Sequence, residues 1–176
     1  MITKLSHGLA RAEIFCASFL AILITLLILL NVVTRAMNAS IYWVDEAAIY
    51  AMVWMTFLAA SAGVHERSAV SVTVIKDMLG PRARHVLSIT IDLIVLLFAA
   101  AIVYFLWRWL LPLDLLRAGF DIETFQGETF NFVYAEPTTT LGIKKIWVWI
   151  IMAAFAFGAS VHAIANLIAT LRGPRV

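Results

Sequence analysis

Of 176 residues, 63% are apolar and only 14% charged, against about 25% charged in an ordinary soluble domain. Such an apolar excess calls for an apolar solvent, and a net charge of +2 spread along the chain excludes a nucleic-acid surface as partner. The single cysteine, Cys16, excludes an internal disulfide and a cysteine-ligated metal centre, and reads as a small apolar residue in a helix.

In chain order, the first apolar run is Ile14 to Val33, twenty residues without a charge. About 20 residues cross roughly 30 Å of hydrocarbon. Lys4 and Arg11 precede the run as they would in a signal peptide. The run exceeds the usual core of about 7–15 residues, however, and no small-x-small cleavage site follows, so a retained helix over 12–34 is expected. The connection from Arg35 to Glu46 is short, which makes the first two helices antiparallel neighbours. The second run, Ala47 to Val64, has eighteen residues, and its helix is expected over 45–64. Trp43, Asp45 and Glu46 stand at its start. Carboxylates there are favoured by the helix dipole by about 0.3–1 kcal/mol, and they could also pair with Arg35 across the short loop or with a cation on a partner.

Between the second and third runs, Val70, Val74 and Met78 lie near one helical face with Ile75 and Leu79 beside it. The spacing predicts an amphipathic helix over 68–79 lying in the membrane interface and ended by Gly80-Pro81. Period-two alternation from Val70 to Val74 suggests a strand instead, but an unpaired edge at a membrane surface is poorly satisfied. The third run, Val86 to Trp107, is interrupted only by Asp92; a helix over 86–110 is expected. Asp92 lies about two turns from Arg84, and a lone acid near a boundary pairs with such a cation, or with a partner's, more often than it relays protons. Arg108, between Trp107 and Trp109, reaches for headgroups. The connection 111–143 carries Phe120, Ile122, Phe125, Phe130, Phe132 and Tyr134, too apolar for a solvated tether, so it should pack on the helices or on a partner. The last run, Ile146 to Leu171, predicts a helix over 144–171. The expected fold class is therefore an all-α membrane protein of four transmembrane helices plus the interfacial helix, in a single membrane domain covering 1–176.

Basic residues set the orientation. Lys4, Arg11, Arg67, Lys76, Arg82, Arg84, Arg172 and Arg175 fall on the side of the termini; Arg35, Arg108, Arg117, Lys144 and Lys145 fall on the other. The richer side faces the cytoplasm. Trp43, Trp107, Trp109, Trp147 and Trp149 cluster at the opposite ends of the spans as an outer aromatic belt, with Trp54 alone in mid-span.

Few polar groups lie deep: Thr25, Asn31, Thr56, Ser61, Thr90, Asp92, Ser160, His162 and Asn166. No span is broken by a central Gly or Pro in the manner of a transport site. This favours a supporting subunit over a self-sufficient carrier. Small residues at spacing four offer packing faces: Ala48, Met52, Met55, Ala59 and Gly63 on one side of the second helix, and Ala154, Gly158 and His162 on the fourth. The other side of the second helix carries Glu46, Tyr50, Trp54, Phe57 and Ser61. Either side could meet a partner or the chain's own helices.

Two other classes remain open. His65, His85 and His162 raise a haem-binding electron-transfer subunit, which needs two axial ligands on facing helices. A small drug-type carrier needs an acid buried in the first helix; Glu13 is the candidate, expected to reach water at the boundary beside Arg11.

Residues 42–64 read Y-W-V-D-E-A-A-I-Y-A-M-V-W-M-T-F-L-A-A-S-A-G-V, and 139–149 read T-T-L-G-I-K-K-I-W-V-W. An aromatic, an acidic pair and a helix with W-M-T-F-L-A-A resembles the small, DctQ-like membrane subunit of tripartite ATP-independent periplasmic (TRAP) transporters, and the second segment resembles the start of that family's last helix. The resemblance implies a sodium-coupled secondary active transporter in the bacterial inner membrane, with no cofactor or enzymatic activity in this subunit. A large, DctM-like membrane subunit would carry the substrate and sodium sites. A soluble, DctP-like periplasmic solute-binding protein would deliver a solute, often an organic acid. The small subunit would be a lipid-embedded fixed scaffold with both termini cytoplasmic. Candidate interface or structural residues are Arg35, Trp43, Asp45, Glu46, Tyr50, Trp54, Phe57, Arg84 and Asp92.

Overall fold

The computed structural model describes residues 1–67 and 78–173. Among these, four helices are long and apolar enough to cross a membrane: α1 (Ile2–Ala36), α2 (Trp43–Glu66), α3 (Pro81–Leu110) and α6 (Ile146–Leu171). Two short helices, α4 (Pro112–Arg117) and α5 (Ile122–Thr129), lie between α3 and α6. The interfacial helix expected over 68–79 falls almost wholly outside the described residues.

Every span is helical because lipid offers no partner to a backbone amide, so each must bond within its own segment. The helix ends are set locally. α1 stops where Asn38 turns left-handed (φ 55°), with the Asn38 amide donating to Arg35 and the Ala39 amide to Thr34. That pairing satisfies the last carbonyls of the helix. α3 opens with Pro81 at its first turn, where the missing N–H costs nothing. It begins five residues before the expected start, just as α1 begins ten before. At 35 residues α1 is about 52 Å long, well beyond the hydrocarbon layer, so its first turns stand past the membrane edge.

α6 is the hub of the bundle: it packs on α1, α2 and α3, and α1 packs most extensively on α2. Its nine buried residues include Val148, Ile151, Gly158 and His162. The covered side of α1 runs through Ser6, Ala10, Glu13, Ala17, Leu20, Ile24, Leu27, Asn31 and Thr34, at alternating steps of three and four. Such a 3.5-residue seam belongs to left-handed helix packing. Its centre is apolar and its two ends are polar. The opposite side of α1, through Phe15, Phe19, Ile22, Leu26 and Leu29, is exposed, as a lipid-facing surface must be.

The connection from α3 to α6 folds back on the helix ends. Leu111 turns left-handed (φ 46°) and Pro112 starts α4. The Asn131 amide donates to the carbonyl of Trp109 at 2.7 Å and the Tyr134 hydroxyl to that of Leu110 at 2.7 Å, so side chains of the connection cap the free end of α3. Phe125 is fully buried with its ring edge-on to Tyr134, and burial pushes the Tyr134 phenol up. Thr138 and Ile143 pair through the backbone at 2.8 Å just before α6. Part of the expected loop is thus short helix, and the packing expected of it is against the helices.

Candidate functional site

Three polar clusters hold the spans together. The first lies at the end of the bundle away from the termini, where α1 passes into α2. Asn31 and Arg35, one turn apart on α1, both donate to Asp45 in the first turn of α2, and the Arg35 side chain also donates to Asn31. The neighbouring acid, Glu46, turns the other way. Its carboxylate accepts the backbone N–H groups of Thr139 (2.8 Å), Thr140 (2.6 Å) and Leu141 (2.9 Å), together with the hydroxyls of Thr140 and Tyr50. Three successive amides around one anion form a concave cradle, and it ties the segment ahead of α6 to the head of α2. Four residues beyond Tyr50, Trp54 donates its indole N–H to the carbonyl of Val148 at 2.9 Å. Phe57 meets Phe155 edge to face with centroids 5.4 Å apart. The Tyr50, Trp54, Phe57 and Ser61 side of α2 therefore faces this chain's own α6, leaving Ile49, Met52, Thr56 and Ala59 outward. Trp43 is nearly half exposed and Trp107 and Trp147 more than half, whereas the rings of Trp109 and Trp149 meet at a tilt with centroids 4.9 Å apart.

The second cluster joins α2, α3 and α6 at the end bearing the termini. Asp92 is buried, and the cation that reaches it is Arg67 at 2.9 Å, not the Arg84 expected from spacing alone. Arg67 ends α2 in a left-handed turn (φ 53°), and this swings its guanidinium across to α3 and α6. There it also donates to the carbonyl of Asn166 and to Thr170, while Thr170 donates to Asp92. Asn166 in turn donates to the carbonyl of Val64 at 2.7 Å. Arg84 and His85 line the groove beside this cluster, next to Ser88 and Thr170.

The third cluster was expected as a boundary charge reaching water and is the opposite. Glu13 is 5% exposed. Ser61 of α2 donates to one of its oxygens at 2.7 Å, and His162 Nε2 of α6 lies 3.0 Å from the other. His162 Nδ1 contacts the Ser6 hydroxyl at 2.7 Å, and that hydroxyl also contacts His65 Nδ1 at 2.7 Å. A side chain at Gly158, one turn before His162, would run into the Glu13 carboxylate and Ser61. The glycine is the hole that admits Glu13 between α2 and α6. Ser6, Ser61 and His162 are fully buried. The signal for this cluster was in the seam of α1, where Ser6 and Glu13 share the packing face with Ala10 and Ala17. Of the three histidines that raised haem, His65 and His162 are bridged by Ser6, and His162 has both ring nitrogens engaged.

The remaining deep polar groups are held within their own helices. Thr25 donates to the carbonyl of Ala21, Thr56 to Met52, Thr90 to Val86 and Ser160 to Ala156. All nine polar groups counted as deep from the sequence thus have a partner inside the chain, and no buried side-chain N or O atom among the described residues lacks one.

Against known proteins, the profile of the DctQ component of tripartite ATP-independent periplasmic transporters matches residues 24–173. The chain belongs to the DctQ family. A relative from Haemophilus influenzae, named as a TRAP transporter small permease protein, is 35% identical over 109 residues, covering 61% of this chain and 67% of that one. No solved structure matches. The match takes in α2 and α6 with the Glu46 cradle and the Arg67–Asp92 pair, but begins after Ser6 and Glu13. This DctQ chain is therefore the small subunit of a TRAP transporter, a component of a transport system whose members work with a large membrane subunit and a periplasmic binding protein.

Proposed function

We propose that this DctQ chain is a fixed scaffold in the bacterial inner membrane. It would support a large, DctM-like subunit that imports an organic-acid-type solute coupled to sodium, with a DctP-like binding protein delivering the cargo and both termini in the cytoplasm. One observation carries the reading: every deep polar group in the four spans is hydrogen-bonded within the chain. A carrier must leave polar groups facing a cavity to replace the hydration of its cargo. Here five of those groups join helices to one another and the other four bond back to their own helix. Arg35, Asp45, Glu46, Tyr50, Trp54, Arg67 and Asp92 act as braces, and the surface left for a partner and for lipid is apolar, along the outer sides of α1, α2 and α3. Packing against it requires the van der Waals fit that drives helix association in lipid.

Reconstitution tests this directly. Liposomes holding the large subunit together with this chain should take up solute when the binding protein and a sodium gradient are supplied, and liposomes holding this chain alone should not. Solute uptake by the chain alone, or full uptake by the large subunit without it, would overturn the scaffold role.

A further inference from the structure

We infer that Glu13 is a buried proton-binding site, reached from the water at the termini-bearing end through His65, Ser6 and His162. The scaffold reading counts His162 only as a hydrogen-bonded deep group and assigns proton binding to none of the four.

Donors and acceptors in the cluster admit two self-consistent arrangements. With Glu13 ionised, His162 must donate from Nε2, so its Nδ1 accepts the Ser6 proton and Ser6 accepts from His65 Nδ1–H. With Glu13 protonated, each bond reverses: Glu13 donates to His162 Nε2, His162 Nδ1–H donates to Ser6, and Ser6 donates to His65 Nδ1. The 2.7 and 3.0 Å spacings suit both. The two states differ by one proton. It adds to His65 Nε2 while the Nδ1 proton of His65 passes to Ser6 Oγ. The Ser6 proton then passes to His162 Nδ1, and the Nε2 proton of His162 to a Glu13 oxygen. One O–H bond is gained at Glu13, both imidazoles end neutral with their tautomers inverted, and no electron changes hands.

The surroundings favour this directionality. His65 is partly exposed, and His7, on the exposed side of α1, lies beside it with ring centroids 5.7 Å apart. Glu13 at the far end is covered by α2 and α6. Among the described residues, the charged and titratable groups facing His65 are His7 and Glu13 of α1, Glu66 of α2 and His162 of α6. Ser61 donates to Glu13 in either state and holds the carboxyl in place while the proton arrives. Ser6 lies seven residues, about 10 Å, from Glu13 along α1, so the wire runs parallel to the helix axis from the membrane edge inwards.

The test uses the full chain in lipid nanodiscs, titrated with protons alone. On acidification, infrared difference spectra should show one buried carboxylic-acid C=O band that shifts in D₂O. In step with it, nitrogen NMR of ¹⁵N-histidine protein should show His65 changing from Nδ1–H to Nε2–H and His162 from Nε2–H to Nδ1–H, with His7 and His85 assigned from their Gln variants. E13Q should lose the band. S6A should keep a carboxyl band with a shifted midpoint, while the His65 tautomer no longer follows it. The tautomer inversion is read on the unaltered chain, so the proposal does not depend on E13Q folding. Absence of a buried carboxyl band, its survival in E13Q, fixed tautomers as it grows, or His65 still following it in S6A would each overturn the inference.

Discussion

The Glu46 carboxylate takes four N–H and O–H donors from residues 139–141, one at one oxygen and three at the other. Its substitution therefore acts on the distant 139–141 segment more than on α2. Glu46→Ala should release the Thr139, Thr140 and Leu141 amides, raising their hydrogen exchange by on the order of tenfold, with α2 amides unchanged. Glu46→Gln keeps a carbonyl acceptor and should release them less. Unaltered exchange in Glu46→Ala would show that the cradle does not hold the segment. From sequence, Glu46 and Asp45 were equivalent carboxylates at a helix start. The fold separates them, one turned to α1 and one to the segment before α6, because helix positions one apart point about 100° away from each other.

Among the elements, α3 is tied to α2 by an ion pair, and α5 is started by its own cap. At the end nearer the termini, Arg67 is about one-third exposed and Asp92 almost fully buried. Removing the cation leaves a buried carboxylate with Thr170 alone. Arg67→Met should destabilise the chain in detergent by about 2–3 kcal/mol, and adding Asp92→Leu should recover most of that, since replacing both members of a buried pair is far milder than orphaning one. A double variant no more stable than Arg67→Met would show that the charge is not the cause. At the other end, α5 relies on Asp121, whose side chain accepts from the Thr124 hydroxyl and amide. Those bonds hold its carboxyl below the usual carboxylate range. With the folded pKa below the unfolded one, this stabilisation is present above the ordinary Asp value of about 3.9 and is lost as pH falls through the folded value. Exchange of the α5 amides should accelerate below that range. In Asp121→Ala it should already be fast near neutrality and show no such transition.

At the scale of the molecule, α6 touches all three other spans, including both members of the α1–α2 pair. Unfolding of the full chain in detergent should follow one transition, the same by tryptophan fluorescence and by far-ultraviolet circular dichroism; separate melting of the α1–α2 pair would contradict a shared hub.

What the sequence alone determined were the properties that lipid imposes locally. Four apolar runs, helical conformation and a family-like segment over 42–64 need no knowledge of neighbours, because a segment's length and hydrophobicity decide whether it can span. Tertiary structure decided the partners of the polar side chains that join one helix to another. Spacing along the chain offered Arg84 to Asp92, and the left-handed turn at Arg67 brought a different cation to it. Glu13 looked like a solvated charge because its burial comes from Gly158, Ser61 and His162, residues 48 to 149 positions away. Lipid solvation can be read along a chain, whereas a hydrogen bond between helices depends on how those helices are rotated about their axes, and only their packing sets that.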